Sequence, residues 1–273
     1  MPVGSMLCYH RSQSITKSMP DWIFNPIIFE IGPIKAHWYG FMYALSFILG
    51  YLYVNYSKLG KKLDLSQKDK DNLVIIIIAG VILGGRLGYI LFYNLEFYLS
   101  HPEKIFAVWE GGMSFHGGLL GSALGMFLFS KQKKIDLWKI ADVITSFAPI
   151  GIMLVRIANF INGELYGRIA TQYCIYFPTD PENCRYPSQL IQAALEGLIL
   201  FLILQWIARK NPKTGVLSGS FLILYGLFRI AVEFVREPDP QIGFLWDVIT
   251  QGQLLSILMV GAGAILLIIR RKK

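Results

Sequence analysis

Residues 73–93 read LVIIIIAGVILGGRLGYILFY, and Arg86 is the one charged residue in that run. A helix needs roughly 20 predominantly apolar residues to cross a bilayer. Backbone polar groups in lipid must be satisfied internally, so the run predicts a helix rather than an open strand. Six further apolar stretches flank it. The predicted spans are roughly 38–56, 73–93, 113–130, 140–161, 189–208, 216–235 and 253–269. The fold class is therefore all-α, a polytopic bundle of about seven transmembrane helices.

Composition agrees. Of the 273 residues 54% are hydrophobic and only 16% charged, and mean hydropathy is +0.47. A soluble domain carries nearer a quarter charged residues. Residues 1–26 lack the continuous apolar core and the small-residue cleavage site of a signal peptide. The first span is expected to serve as its own insertion signal. Cys8, Cys174 and Cys184 form neither a CxxC nor a Cys/His metal pattern, so neither metal nor cofactor is expected.

The net charge of +8 is explained by where the cations lie, without nucleic acid. Lys58, Lys61, Lys62, Lys68 and Lys70 follow the first span, and Lys131, Lys133, Lys134 and Lys139 follow the third. Arg209, Lys210 and Lys213 follow the fifth, and Arg270, Arg271, Lys272 and Lys273 close the chain. The opposite connections hold far fewer: Arg11, Lys17, Lys35, Lys104, Arg168, Arg185 and Arg236. The bias places the C-terminus in the cytoplasm and the N-terminus outside.

Arg86, Arg156 and Arg229 fall inside spans, where an arginine costs about 2.5–3.5 kcal/mol to insert. Each lies in the last third of a span running outward, roughly 8–10 Å below its end at 1.5 Å per residue. His116, His37 and Tyr39 are expected at the same outer level. Tyr225, Arg229 and Glu233 share one helical face, and Arg156, Asn159 and Glu164 make a second polar series. One reading pairs each arginine with a carboxylate to hold the bundle together. The other makes a cationic cavity for an anionic lipid headgroup, which arginine grips with a bidentate fork. Histidine as a residue type changes charge near neutral pH, which makes His116, in GGMSFHGGL, a candidate general base. Gly117, Gly121 and Gly125, and Gly84 with Gly88, recur every fourth residue, a spacing that lets helix backbones approach closely. An anion transporter is the competing class, but no internal repeat is visible and the charged level is off-centre. A membrane scaffold leaves the convergence of polar groups unexplained.

These segments resemble the bacterial prolipoprotein diacylglyceryl transferase family. The likeness runs from Ile31 onward and includes HWYG at 37–40, GGRLGY at 84–89, WEGGMSFHGG at 109–118 and RIANFINGELYGR at 156–168. YPSQL at 186–190, YGLFR at 225–229 and EFVREPD at 233–239 continue it. The chain departs from the family's usual pattern at Tyr186, at Ile191-Gln192 and at Val155–Asn159. The resemblance implies an inner-membrane enzyme that moves the diacylglyceryl group of phosphatidylglycerol onto the lipobox cysteine of a prolipoprotein. A thioether forms and glycerol 1-phosphate leaves. It implies catalytic roles for His116, Arg156 and Arg229, and substrate-binding roles for Arg156, Tyr39, Asn159, Glu164, Gly167 and Tyr225. Arg86 and Glu233 are added to the binding set from their places in the spans. Residues 1–30 are expected to be an extracytoplasmic extension and 31–273 one transmembrane domain. Residues 162–188 would form a periplasmic head, with Tyr173, Tyr176 and Phe177 at the interface. Cys174 and Cys184 can form a disulfide in an oxidising compartment, but free thiols are the expectation, because the family's activity does not depend on such a pair.

Overall fold

The computed structural model describes residues 24–32, 34–238, 244–245 and 248–272. Residues 1–23 of the expected extension, with Cys8, Arg11 and Lys17, lie outside the described residues, as do Asp239 and Lys273. Helices form within all seven predicted stretches, though the third starts only at Phe115 and the sixth ends at Glu233. They are α1 (Trp38–Tyr56), α2 (Gln67–Tyr93), α3 (Phe115–Lys133), α4 (Leu137–Ile161), α5 (Ser188–Arg209), α6 (Val216–Glu233) and α7 (Gln251–Lys272). Five of them, α2, α4, α5, α6 and Gln251–Arg270 of α7, are long and apolar enough to cross a membrane.

Three short antiparallel hairpins add to the all-helical expectation: β1 (Ile27–Ile31) with β2 (Ile34–His37), β3 (Ile175–Phe177) with β4 (Asp180–Arg185), and β5 (Phe244–Leu245) with β6 (Ile249–Thr250). The stretch Ile175-Tyr176-Phe177 is β-branched and aromatic, which suits a pleated, half-buried surface. Here the structure corrects the expectation of free thiols. Cys174 and Cys184 are joined in a disulfide, with Cα atoms 5.3 Å apart. The β3–β4 register sets Ile175 opposite Arg185, so the positions beside them face each other at a separation a disulfide spans.

The chain divides into two compact units, Leu49–Ile144 and the combination of Met1–Ile48 with Thr145–Lys273. In the first, α2 and α3 pack through glycine. A Cβ on Gly121 would lie 2.1 Å from the Gly80 carbonyl oxygen, and one on Gly117 would lie 2.2 Å from that of Gly84. The four-residue glycine spacing thus marks a helix–helix seam that no larger residue fits. Below it, Val54, Leu63, Leu73, Phe129, Ile140 and Val143 form a buried apolar cluster. In the second unit α6 and α7 pack together, with Gly219 against Leu267 and Gly226 against Val260.

Candidate functional site

The larger unit gathers most of the predicted site. Near the end of α4, Arg156 Nη1 donates to Asn159 Oδ1 at 3.2 Å, and Asn159 Nδ2 donates to Glu164 Oε1 at 2.8 Å. The helix ends because Gly163 takes φ +64, a left-handed conformation that an L side chain rarely adopts. The reversal brings Glu164 back toward the helix, where its N–H donates to the Asn159 carbonyl at 3.0 Å. Gln189 Nε2, from the start of α5, donates to the Glu164 carbonyl at 2.7 Å. Tyr39 and Tyr43 of α1 have ring centroids 5.2 Å apart, and Tyr43 lies within the electrostatic reach of Arg156 and Glu164.

The α6 face forms as its i, i+4 spacing predicts. Arg229 is 8% exposed; its Nη2 meets Glu233 Oε1 at 2.5 Å. Glu233 is itself held from two more sides. Arg236 Nη1 lies 3.5 Å from Oε1, and the Thr250 hydroxyl donates to Oε2 at 2.7 Å. Gly252 leaves room for this pair, since a Cβ there would lie 2.6 Å from Glu233 Oε1. Glu233 thus holds the Arg229 guanidinium from one side, the pairing that one of the two sequence readings expects.

Gly167 and Arg168 tie the head to the end of α6. Gly167 bridges Arg236, and a Cβ on Gly167 would lie 2.4 Å from the Val235 carbonyl oxygen. The Arg168 guanidinium donates to the carbonyls of Arg236 at 3.0 Å and Glu233 at 3.2 Å. Gly167 thus acts through backbone approach.

Glu196 was missed by the sequence reading. It is fully buried in a π-helical turn of α5, Ala193–Ile199, with Oε1 3.8 Å from Arg229 Nη1. Single π turns recur at functional sites because they re-aim one face of a helix. The signal was available: Glu196 is the only charged residue in the predicted span 189–208, and an intramembrane carboxylate is a functional candidate by default. Tyr225 lies in the combined field of Glu196, Arg229, Arg156 and Arg236.

Several buried polar atoms here have no hydrogen-bond partner. They include Arg156 Nε, Arg229 Nη1, Gln189 Oε1, Gln192 Nε2 and both oxygens of Glu196. Unpaired buried polar atoms are costly, and natural proteins keep few of them. A cluster containing two guanidiniums suits an anionic, hydrogen-bonding ligand.

Arg86 and His116 belong to the smaller unit. Every nitrogen of the Arg86 guanidinium donates to a backbone carbonyl: Nε to Ile105 at 2.9 Å, Nη2 to Lys104 at 2.6 Å, and Nη1 to Gly111 at 2.5 Å and Gly112 at 3.2 Å. It also stacks over Tyr98 at 4.9 Å. His116 is exposed in the first turn of α3, behind the N-cap Ser114, with the Phe115 ring 5.6 Å away.

The family model for prolipoprotein diacylglyceryl transferase matches residues 26–269. A phosphatidylglycerol–prolipoprotein diacylglyceryl transferase of Geobacter sulfurreducens is 49% identical over 251 residues, covering 91% of this chain and 96% of the relative. Its namesake in Desulfotalea psychrophila is 49% identical over 247 residues, 88% of this chain and 90% of the relative. That of Brucella anthropi is 44% identical over 256 residues, 88% of this chain and 89% of the relative.

Proposed function

The chain belongs to the prolipoprotein diacylglyceryl transferase family, and from that premise we propose that it moves the diacylglyceryl group of phosphatidylglycerol to the lipobox cysteine thiol of prolipoproteins. The observation that carries the reading is the pair Arg156 and Arg229, whose guanidiniums keep donors open among buried, unpaired polar atoms. A phosphodiester fills such donors with charge-assisted bonds.

In the reaction the cysteine sulfur attacks the glyceryl carbon that carries the phosphate. A C–S bond forms, the bond from that carbon to the phosphate ester oxygen breaks, and glycerol 1-phosphate departs with the electron pair. A thiol of pKa about 8.5 must lose its proton to become the nucleophile. His116 is the proposed acceptor, on the family likeness of the HGG motif at 116–118. Arg156 binds the headgroup phosphate, with Asn159 and Glu164 fixing its fork. Arg229, held by Glu233, meets the charge that grows on the departing phosphate, a preorganised electrostatic role. Tyr39 and Tyr225 wall the same region, and Gly167 lets the head approach Arg236. The bonding of Arg86 to backbone carbonyls supports a loop-holding role in place of headgroup contact.

On this reading the enzyme belongs to a bacterial inner membrane and all seven helices cross it, the five helices long and apolar enough to do so lending support. The lysine and arginine bias supports an extracytoplasmic N-terminus, a cytoplasmic C-terminus and a periplasmic head at 162–188, where the incoming signal peptide docks. The deciding experiment incubates purified protein with labelled phosphatidylglycerol and a lipobox peptide. Thioether-linked diacylglyceryl peptide with release of glycerol 1-phosphate is the expected product. Anion transport without thioether would favour the transporter class instead.

A further inference from the structure

The open valences around the arginines are not all donors, and the difference points to a second part of the ligand. Gln189, Gln192 and Glu196 lie at i, i+3 and i+7 along α5, on one face, and each is at most 1% exposed. Four of their polar atoms make no hydrogen bond: the Gln189 carbonyl oxygen, the Gln192 amide nitrogen and the two Glu196 oxygens, of which Oε1 faces Arg229 as a long ion pair. A phosphate would answer the amide and the guanidiniums, but it would be repelled by the carboxylate and has no proton for Gln189. Hydroxyl groups answer all of them, since a hydroxyl donates to a carboxylate or amide oxygen and accepts from an amide N–H. Glu196 Oε1 lies 3.8 Å from Arg229 Nη1, so acceptors for hydroxyls adjoin a donor for phosphate. A phosphate ester bearing free hydroxyls a few bonds away matches that sequence of groups.

We propose that the Gln189–Gln192–Glu196 face binds the terminal glycerol hydroxyls of the donor lipid and so selects phosphatidylglycerol from other phosphodiester lipids. The inference rests on the functional reading above and names the headgroup subsite of that same site. A site built to hydrogen-bond a hydroxyl rejects the analogue that lacks it, because its own buried groups are then left unpaired. The bulk of the discrimination falls to Glu196, whose carboxylate makes the stronger, charge-assisted bond.

The test compares two donors in vesicles with the purified full-length protein: phosphatidylglycerol, and phosphatidylpropanol, which has the same phosphodiester and no hydroxyl. Both give the same thioether on a lipobox peptide, so one readout serves. The wild type is expected to favour phosphatidylglycerol in kcat/KM by about tenfold or more. Glu196→Gln and, separately, Gln192→Leu are expected to bring the ratio to within about threefold of one. A Glu196→Gln enzyme that loses rate equally on both donors would make the residue a counter-ion of Arg229 and overturn the proposal. A wild type that uses both donors alike overturns it without any variant, which keeps the test decisive should one substitution prevent folding. Absence of thioether with both donors would instead remove the functional reading itself.

Discussion

Arg86 and Arg229 are both buried arginines in predicted membrane helices, and their surroundings differ in kind. Every nitrogen of the Arg86 guanidinium donates to a main-chain carbonyl of residues 104–112. Arg229 is braced on one side by Glu233 and keeps Nη1 without a hydrogen bond. The Arg86 fork is occupied by its own loop, the pattern of a clamp. Arg229 Nη1 has only the Glu196 carboxylate 3.8 Å away, and on the proposed reading it receives the lipid phosphate. Burial of a charged residue therefore identifies an investment in structure, and only the count of its unfilled donors separates architecture from function.

The sharpest way to break this comparison is to truncate each side of it. Arg229→Ala and Arg156→Ala should lower transfer to the lipobox peptide by about 10²–10³-fold or more, the scale for losing a preorganised charge-stabilising donor. The proteins should still insert. Full activity in either would return both arginines to the same class as Arg86. His116 tests whether an open valence in the smaller unit also belongs to the chemistry. His116→Gln should reduce the rate by about 10²-fold, in the range for a general base. An unchanged rate would remove its role as base.

Arg86→Met should act on stability first. It strips four carbonyls of their donor, a loss of about 3 kcal/mol, read as a lower unfolding midpoint in detergent. A midpoint matching the wild type would dissolve the distinction between clamp and receptor. The smallest effect is expected at the head, which braces the Arg229 side through Arg168 and Arg236. Cys184→Ser should cost about 2 kcal/mol for so short a loop, seen as a midpoint shift that reductant reproduces in the wild type. Wild type insensitive to reductant would mean the cross-link contributes nothing to that brace.

The sequence by itself determined the helices and the candidate residues. Apolar runs of membrane length force helix formation, because lipid offers the backbone no partner. The boundaries of α1 coincide with the predicted 38–56, and the four-residue glycine spacing of α2 and α3 proved to be a packing seam. The i, i+4 spacing placed Arg229 over Glu233 for the same local reason. Tertiary structure alone decided what each polar group does. No local pattern indicated that Arg86 would meet the carbonyls of residues 104–112, that Thr250 would reach Glu233, or that Cys174 would join Cys184. Those contacts join residues that the fold makes neighbours, and a side chain's remaining hydrogen-bond capacity is fixed only once all of its neighbours are in place.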